Sequence, residues 1–175
     1  MDKAIEQEIQ KELKEFHLPR FRDIPDVGLL LEQTMRLVSS YLEPLGDIKL
    51  TTSMISNYVK QNIIARPIKK MYGREQIADL VFIAVAKTVL PLDDIKQILD
   101  IKRQDHEAEE IYDYFCDEYE RIIGEICNLS DVSIAQEAGE PALYEMLRLI
   151  IVTSAHKIYL EKHIRAMLPD SPEKK

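Results

Sequence analysis

Apolar residues recur every three or four positions along most of the chain, and no convincing alternation of apolar and polar residues indicates a strand. This spacing predicts helices over residues 2–15, 28–42, 51–61, 74–88 and 92–101, and then two long helices over about 111–127 and 142–167. Proline lacks a backbone N–H and restricts the residue before it, so the prolines between these segments separate the helices. The pattern therefore indicates an all-α protein.

The two long C-terminal helices carry the most extensive apolar surface. One stripe of the first helix consists of Ile111, Phe115, Ile122 and Ile126, and a neighbouring stripe includes Cys116 and Cys127. Cysteines on an apolar stripe are expected to be buried, and two of them do not suggest a disulfide scaffold. The second helix is apolar on more than one face over residues 147–155, which is typical of a central core helix or of a subunit interface.

Charge is unevenly distributed along the chain. The whole sequence has 23 basic and 31 acidic residues, a net charge of −8, which as an average argues against nucleic acid as a partner. Residues 49–78, however, hold six basic residues and one acid, for a net charge of +5. The acidic excess is greatest over residues 105–125, with nine acids and one base. A basic segment in an acidic chain is typical of a small nucleic-acid-binding surface, although a solvated helix face also carries such charges.

Within the basic segment, a short helix, a tight apolar turn and a basic arm follow one another, as in a helix-turn-helix with an attached wing. The N-terminus of the short helix is expected at Thr51, Thr52 and Ser53, where hydroxyls cap free N–H groups and a phosphate can bind. The side chains expected to point toward base edges are Ser56, Asn57 and Lys60. Asparagine in particular pairs with adenine through two hydrogen bonds.

The basic arm contains the second group of candidate DNA-contacting residues. Arg66, Lys69, Lys70 and Arg74 are expected to contact the DNA backbone or the minor groove. Tyr72 is expected either to donate to a phosphate or to anchor the arm to the core.

This region resembles two protein families. Residues 50–64, LTTSMISNYVKQNII, are similar to the recognition-helix region of MerR-type regulators, and the wing of that family resembles the segment with Pro67, Lys69, Lys70 and Tyr72. Residues 74–80 and 92–99 resemble its next helices. Residues 18–19, 24–26, 52–60 and 72–77 together resemble more closely a bacterial family, domain of unknown function 1836, with a MerR-like helix-turn-helix at its centre.

The resemblance implies a transcriptional regulator that binds double-stranded DNA. Its MerR-like core with a short wing would lie within residues 1–104, followed by a helical dimerisation or effector region over residues 105–168 and a disordered tail over residues 169–175. MerR-type proteins form homodimers through long helices after the DNA-binding part. A homodimer through the two C-terminal helices is therefore expected, and a small-molecule effector remains open.

The main alternative is a helical adaptor that keeps the fold but binds protein. Ser53 and Ser56 stand where MerR-type recognition helices usually carry arginine, the wing is short, and the chain is acidic overall. These three features favour the adaptor.

Other chemistry has little support. The phosphate-binding, dinucleotide-binding and zinc-protease motifs do not occur, so neither an enzyme nor a cofactor is expected. His156 and His163 are seven residues apart, on roughly one helical face. No further metal ligands accompany them, so both are expected on a solvated face. No apolar run reaches the ~20 residues of a membrane span, and the start has no signal core. We therefore expect a cytoplasmic protein without membrane contact.

Overall fold

The computed structural model describes residues 3–14, 16–128 and 140–167. Within these residues lie seven α-helices and two isolated β-bridges but no strand, so the predicted all-α class is confirmed. The helices are α1 (Lys3–Lys14), α2 (Leu31–Leu42), α3 (Thr52–Lys60), α4 (Arg74–Ala86), α5 (Leu92–Asp105), α6 (Ala108–Cys127) and α7 (Ala142–Met167). Short 3-10 turns cover Phe21–Asp23 and Glu43–Leu45.

The predicted helices differ from the observed ones mainly at their ends. The second helix starts at Leu31 and not at Gly28, because Leu29 is extended and exchanges two backbone hydrogen bonds of 2.9 and 2.8 Å with Tyr72. The fifth helix continues to Asp105 instead of ending at residue 101. The predicted tail over residues 169–175 lies outside the described residues, as does most of the predicted break before α7.

Helix α4 lies at the centre of the core. Every residue from position 77 to 86 is buried, and α4 contacts α2, α5, α6 and α7. Asp79 is the charged residue in this stretch, and its carboxylate binds Lys102 Nζ at 2.5 Å and Arg103 Nη2 at 3.1 Å, both from α5. These ion pairs offset the large cost of burying the carboxylate. They also join α4 to α5.

The acidic residues of α6 bind the segment that follows α1. The Glu120 carboxylate accepts hydrogen bonds from the Leu18 amide at 2.9 Å and from Arg20 Nη1 at 2.7 Å, while Asp113 accepts from the Phe21 amide at 2.7 Å. Burial alone would raise the pKa of the Glu120 carboxyl, but its hydrogen bonds outweigh burial, so its pKa is lowered. Part of the acidic excess of residues 105–125 therefore has a structural role inside the chain.

Helices α6 and α7 pack together, and α1 lies against both. Cys116 and Cys127 are buried, as predicted, and form no disulfide, and burial raises the pKa of the Cys116 thiol to about 12. The histidine prediction is correct for exposed His156 but wrong for His163, which is 5% exposed. His163 is buried because α1 and α6 both pack against α7, so α7 has a second covered face in addition to the one against α6.

Among the helices of the described residues, none is long and apolar enough to cross a lipid bilayer.

Candidate nucleic-acid interface

Both ends of α3 are fixed by local backbone chemistry. Thr51 is the N-cap residue, and its hydroxyl oxygen accepts a hydrogen bond of 3.2 Å from the Met54 amide. At the other end, Asn62 has a left-handed φ of 55°, and the amides of Asn62 and Ile63 donate to the carbonyls of Val59 and Tyr58. This is a Schellman motif, which ends the helix abruptly and turns the chain away from it.

The side chains predicted to contact bases lie on the outside of α3, together with Ser53 of the predicted phosphate site. Ser53, Ser56, Asn57 and Lys60 are exposed, whereas Ile55 and Tyr58 are buried on the opposite side. The four exposed residues occupy positions i, i+3, i+4 and i+7, which share one face of a helix. The structure thus brings the predicted set into one polar surface of serine, asparagine and lysine side chains.

One further residue belongs to this surface and was missed from the sequence. Gln61 is exposed at the end of α3, and its Nε2 donates a hydrogen bond of 3.2 Å to Asn57 Oδ1. The spacing of four residues between two amide side chains on a helix was the available signal. The pair limits the orientations of the Asn57 amide.

After α3 the chain forms a tight hairpin at residues 68–71. The amides and carbonyls of Ile68 and Met71 are hydrogen-bonded to each other at 3.1 and 2.8 Å, with Lys69 and Lys70 as the two turn residues. Their φ angles are 49° and 66°, both in the left-handed region. Positive φ at both turn residues is the signature of a type I′ turn, in which Asn-Gly is the favoured sequence. Two lysines therefore occupy positions that turn chemistry assigns to other residues.

In the part of the chain that the structure describes, the cations of α3 and the hairpin form no ion pair. Lys60, Arg66, Lys69 and Lys70 are all exposed. None of the ion pairs formed among the described residues includes any of them. Their charges are available to an external anion.

Two of the predicted contact residues instead hold the fold together. Tyr72 is only 5% exposed, which supports the anchoring alternative over a phosphate contact. Arg74 is half-buried at the start of α4, where its Nε donates to the Ile24 carbonyl at 2.9 Å and its guanidinium lies 5.7 Å from the Phe21 ring centroid. This arginine fixes the 21–26 segment against α4, a long-range role that sequence spacing does not reveal.

Two acidic residues lie near Arg66. Arg66 lines a shallow open groove together with Asp26, Arg74 and Glu75. Residues 50–74 themselves contain no acid. Both acids that line this groove therefore come from outside the segment that forms α3 and the hairpin.

The family model for a domain of unknown function, DUF1836, matches residues 19–115, more than half of the chain. The chain belongs to this family. No curated protein and no solved structure matches it. The DUF1836 match includes α2 to α5, the hairpin and every candidate contact residue. It ends within α6 and leaves out α1 and α7.

In the described part of this DUF1836 chain, no group of three or more histidine, cysteine, aspartate or glutamate side chains is arranged to hold a metal ion.

Proposed function

We propose that this DUF1836 protein is a transcriptional regulator that binds double-stranded DNA through a MerR-like winged helix-turn-helix. In this arrangement α2 and α3 form the helix-turn-helix and the hairpin at residues 68–71 forms the wing. The order of elements supports the proposal: extended Leu29, α2, α3, the hairpin paired back to Leu29 through Tyr72, and then α4. In helix-turn-helix proteins the second helix enters the major groove, and here that helix carries the exposed polar surface.

The observation that carries the proposal is the pair of lysines at the tip of the hairpin. A left-handed conformation costs a non-glycine residue roughly 1–2 kcal/mol. Lys69 and Lys70 both adopt it, without an ion pair among the described residues to offset the cost. Strained residues of this kind concentrate where function requires them. Two projecting ammonium groups suit a polyanion.

The proposed contacts follow from the exposure of each side chain. Thr51, Thr52 and Ser53 contact phosphate at the α3 N-terminus, and Ser56, Asn57 and Lys60 lie toward base edges. Arg66, Lys69 and Lys70 contact the backbone or the minor groove from the wing. Buried Tyr72 and half-buried Arg74 position the wing and do not touch DNA.

The test is DNA binding measured as a function of salt for the full chain. Genomic DNA captured by the protein and sequenced supplies the operator. Fluorescence anisotropy on that duplex then compares the parent with the Lys69→Ala/Lys70→Ala variant. Each lost phosphate contact lowers the slope of log affinity against log salt by about 0.9, so the double variant should lose about 1.8.

A matched control removes two lysines elsewhere. Lys11 on α1 and Lys96 on α5 lie outside the proposed interface, and Lys11→Ala/Lys96→Ala changes the net charge by the same amount. We expect it to retain the parental slope. Parental binding by the wing variant, or equal losses in both variants, would contradict the assignment.

The second candidate function is the protein-binding adaptor. The acids Asp26 and Glu75 next to Arg66 favour it, because an adaptor does not need an uninterrupted basic surface. Capture of no DNA by the parent protein at low salt would favour the adaptor over the regulator.

We further propose that the protein is a homodimer through the outer face of α7. The apolar stripes of α6 are buried inside the chain, whereas α7 exposes Leu149, Leu160 and Ile164. Positions 149, 160 and 164 fall on one helical face, which leaves a partly apolar strip for a second copy.

A further inference from the structure

Exposed apolar side chains lie in the hairpin and in the segment packed beside it. Ile68, at 78%, and Val27, at 70%, are the two most exposed large apolar residues of the described part of the chain, and Leu30 and Met71 are 51% and 37% exposed. Isolated surface apolar residues need no explanation, but a cluster at one site indicates a contact. Of these four residues, Ile68 and Met71 directly flank Lys69 and Lys70 at the tip of the hairpin.

The backbone holds this cluster in one place. Ile68 and Met71 face each other across the type I′ turn, so their side chains leave the same side of the hairpin. Gly28 lies directly against Met71, since a Cβ at position 28 would be 2.7 Å from the Met71 Cβ. The glycine therefore allows residues 27–30 to lie alongside the hairpin and to bring Val27 and Leu30 to it.

A contact with phosphates alone does not account for these residues. Lysine ammonium groups neutralise phosphates, but an exposed isoleucine next to the charged DNA backbone gains nothing. The minor groove suits both kinds of side chain, because its apolar deoxyribose walls can contact isoleucine and its electronegative floor attracts lysine. Proteins that bind there insert isoleucine, leucine or methionine side chains, and lysine is attracted to the narrow groove of A·T-rich DNA.

We propose that the hairpin enters the minor groove of A·T-rich DNA, with Ile68 against the groove walls and Lys69 and Lys70 on either strand. This inference rests on the proposed DNA-binding function and adds to it the groove and the base composition. Met71 supports Ile68 from the facing position, and Val27 and Leu30 lie over the outer edge of the groove.

Inosine separates the two grooves experimentally. An I·C pair lacks the minor-groove amino group of G·C and so resembles A·T in the minor groove, while it presents the G·C pattern in the major groove. The probes are short alternating duplexes of A·T, G·C or I·C pairs, and binding to the full-length protein is followed by anisotropy at fixed salt. We expect I·C and A·T to bind alike and about tenfold more tightly than G·C, a difference equivalent to one lost contact.

Ile68→Ser tests the role of the apolar tip. Ile101→Ser on α5 is the matched control, because Ile101 is also exposed, at 37%, and lies outside both the hairpin and the proposed dimer face. Circular dichroism first shows that both variants are folded. We expect Ile68→Ser to reduce the preference for A·T and I·C to less than threefold. Ile68→Met should retain the preference, and so should the control.

Each outcome has a distinct meaning. If the parent binds all three duplexes equally, or treats I·C as G·C, the minor-groove inference is wrong while DNA binding stands. If Ile68→Ser keeps the full preference for A·T and I·C duplexes, Ile68 does not contribute to that preference, and the inference is overturned. If the parent binds none of the three duplexes but does bind the captured operator, the inference is wrong and the proposed function stands; binding to neither would overturn both.

Discussion

Because Lys69 and Lys70 both have a left-handed backbone conformation, we expect one double substitution at the hairpin to raise the stability of the protein and to weaken its DNA binding. In Lys69→Asn/Lys70→Gly the two turn residues become the sequence that a type I′ turn favours. Removal of the left-handed strain should stabilise the fold by roughly 1–2 kcal/mol per residue. The greater entropy of glycine in the unfolded chain should destabilise it by about 0.5–1 kcal/mol. Over the two residues, the expected net gain in the free energy of unfolding is about 1–3.5 kcal/mol.

Urea unfolding and differential scanning calorimetry of the full chain measure this gain. For a chain of this size, each kcal/mol corresponds to a rise in Tm of about 2–4 °C. The slope of log affinity against log salt should fall by about 1.8, as for the alanine pair, because the same two charges are lost.

Two further variants distinguish the effect of backbone strain on stability from the effect of the lysine charges on DNA binding. Lys69→Ala/Lys70→Ala removes the charges but keeps a Cβ at both positions, so it should lose binding without gaining stability. Lys69→Arg/Lys70→Arg keeps the charges and should retain both properties of the parent. An Asn-Gly variant that is no more stable than the alanine pair would refute the assignment of strain to this turn.

Three other predictions concern the core, the acid response and the assembly. Asp79→Asn should destabilise the protein by about 3–5 kcal/mol in urea unfolding, since it leaves the Lys102 ammonium buried without its counter-ion. Glu120→Gln should be less stable than the parent at neutral pH. Since the folded-state pKa of Glu120 lies below its ordinary value of 4.5, that difference should persist above pH 4.5 and disappear as the pH falls through the lowered pKa; a difference independent of pH would contradict the role of its charge. Leu160→Glu should convert a micromolar dimer into a monomer in sedimentation velocity, and a monomeric parent would disprove the interface.

The sequence was sufficient for what depends on neighbouring residues. The helices follow from apolar spacing, the start of α3 from the Thr51 cap, and the exposed surface of α3 from the alternation of Ser53, Ser56 and Asn57 with apolar residues. These features are determined within a turn or two of helix, so a one-dimensional pattern contains the information.

What the sequence did not predict depends on partners far along the chain. Leu29 is extended because Tyr72 pairs with it, and Arg74 is directed inward by the Ile24 carbonyl fifty residues earlier. The sequence shows an acidic run on α6 but not its partners, and Glu120 is bound by Arg20, 100 residues earlier in the chain. Such contacts leave no periodic signal, so the direction of a charged side chain cannot be inferred from its own neighbourhood.

The boundary of the family match falls within α6, so it does not coincide with the boundary of the folded structure. The sequence region shared across the family ends at residue 115, within this helix, and excludes both helices that cover it. A fragment cut at that boundary would divide α6 and uncover Ile111, Tyr112 and Phe115, all of them buried in the full chain. In this chain the family region is thus smaller than the folded unit, because α1 and α7, which pack on α6, lie outside it.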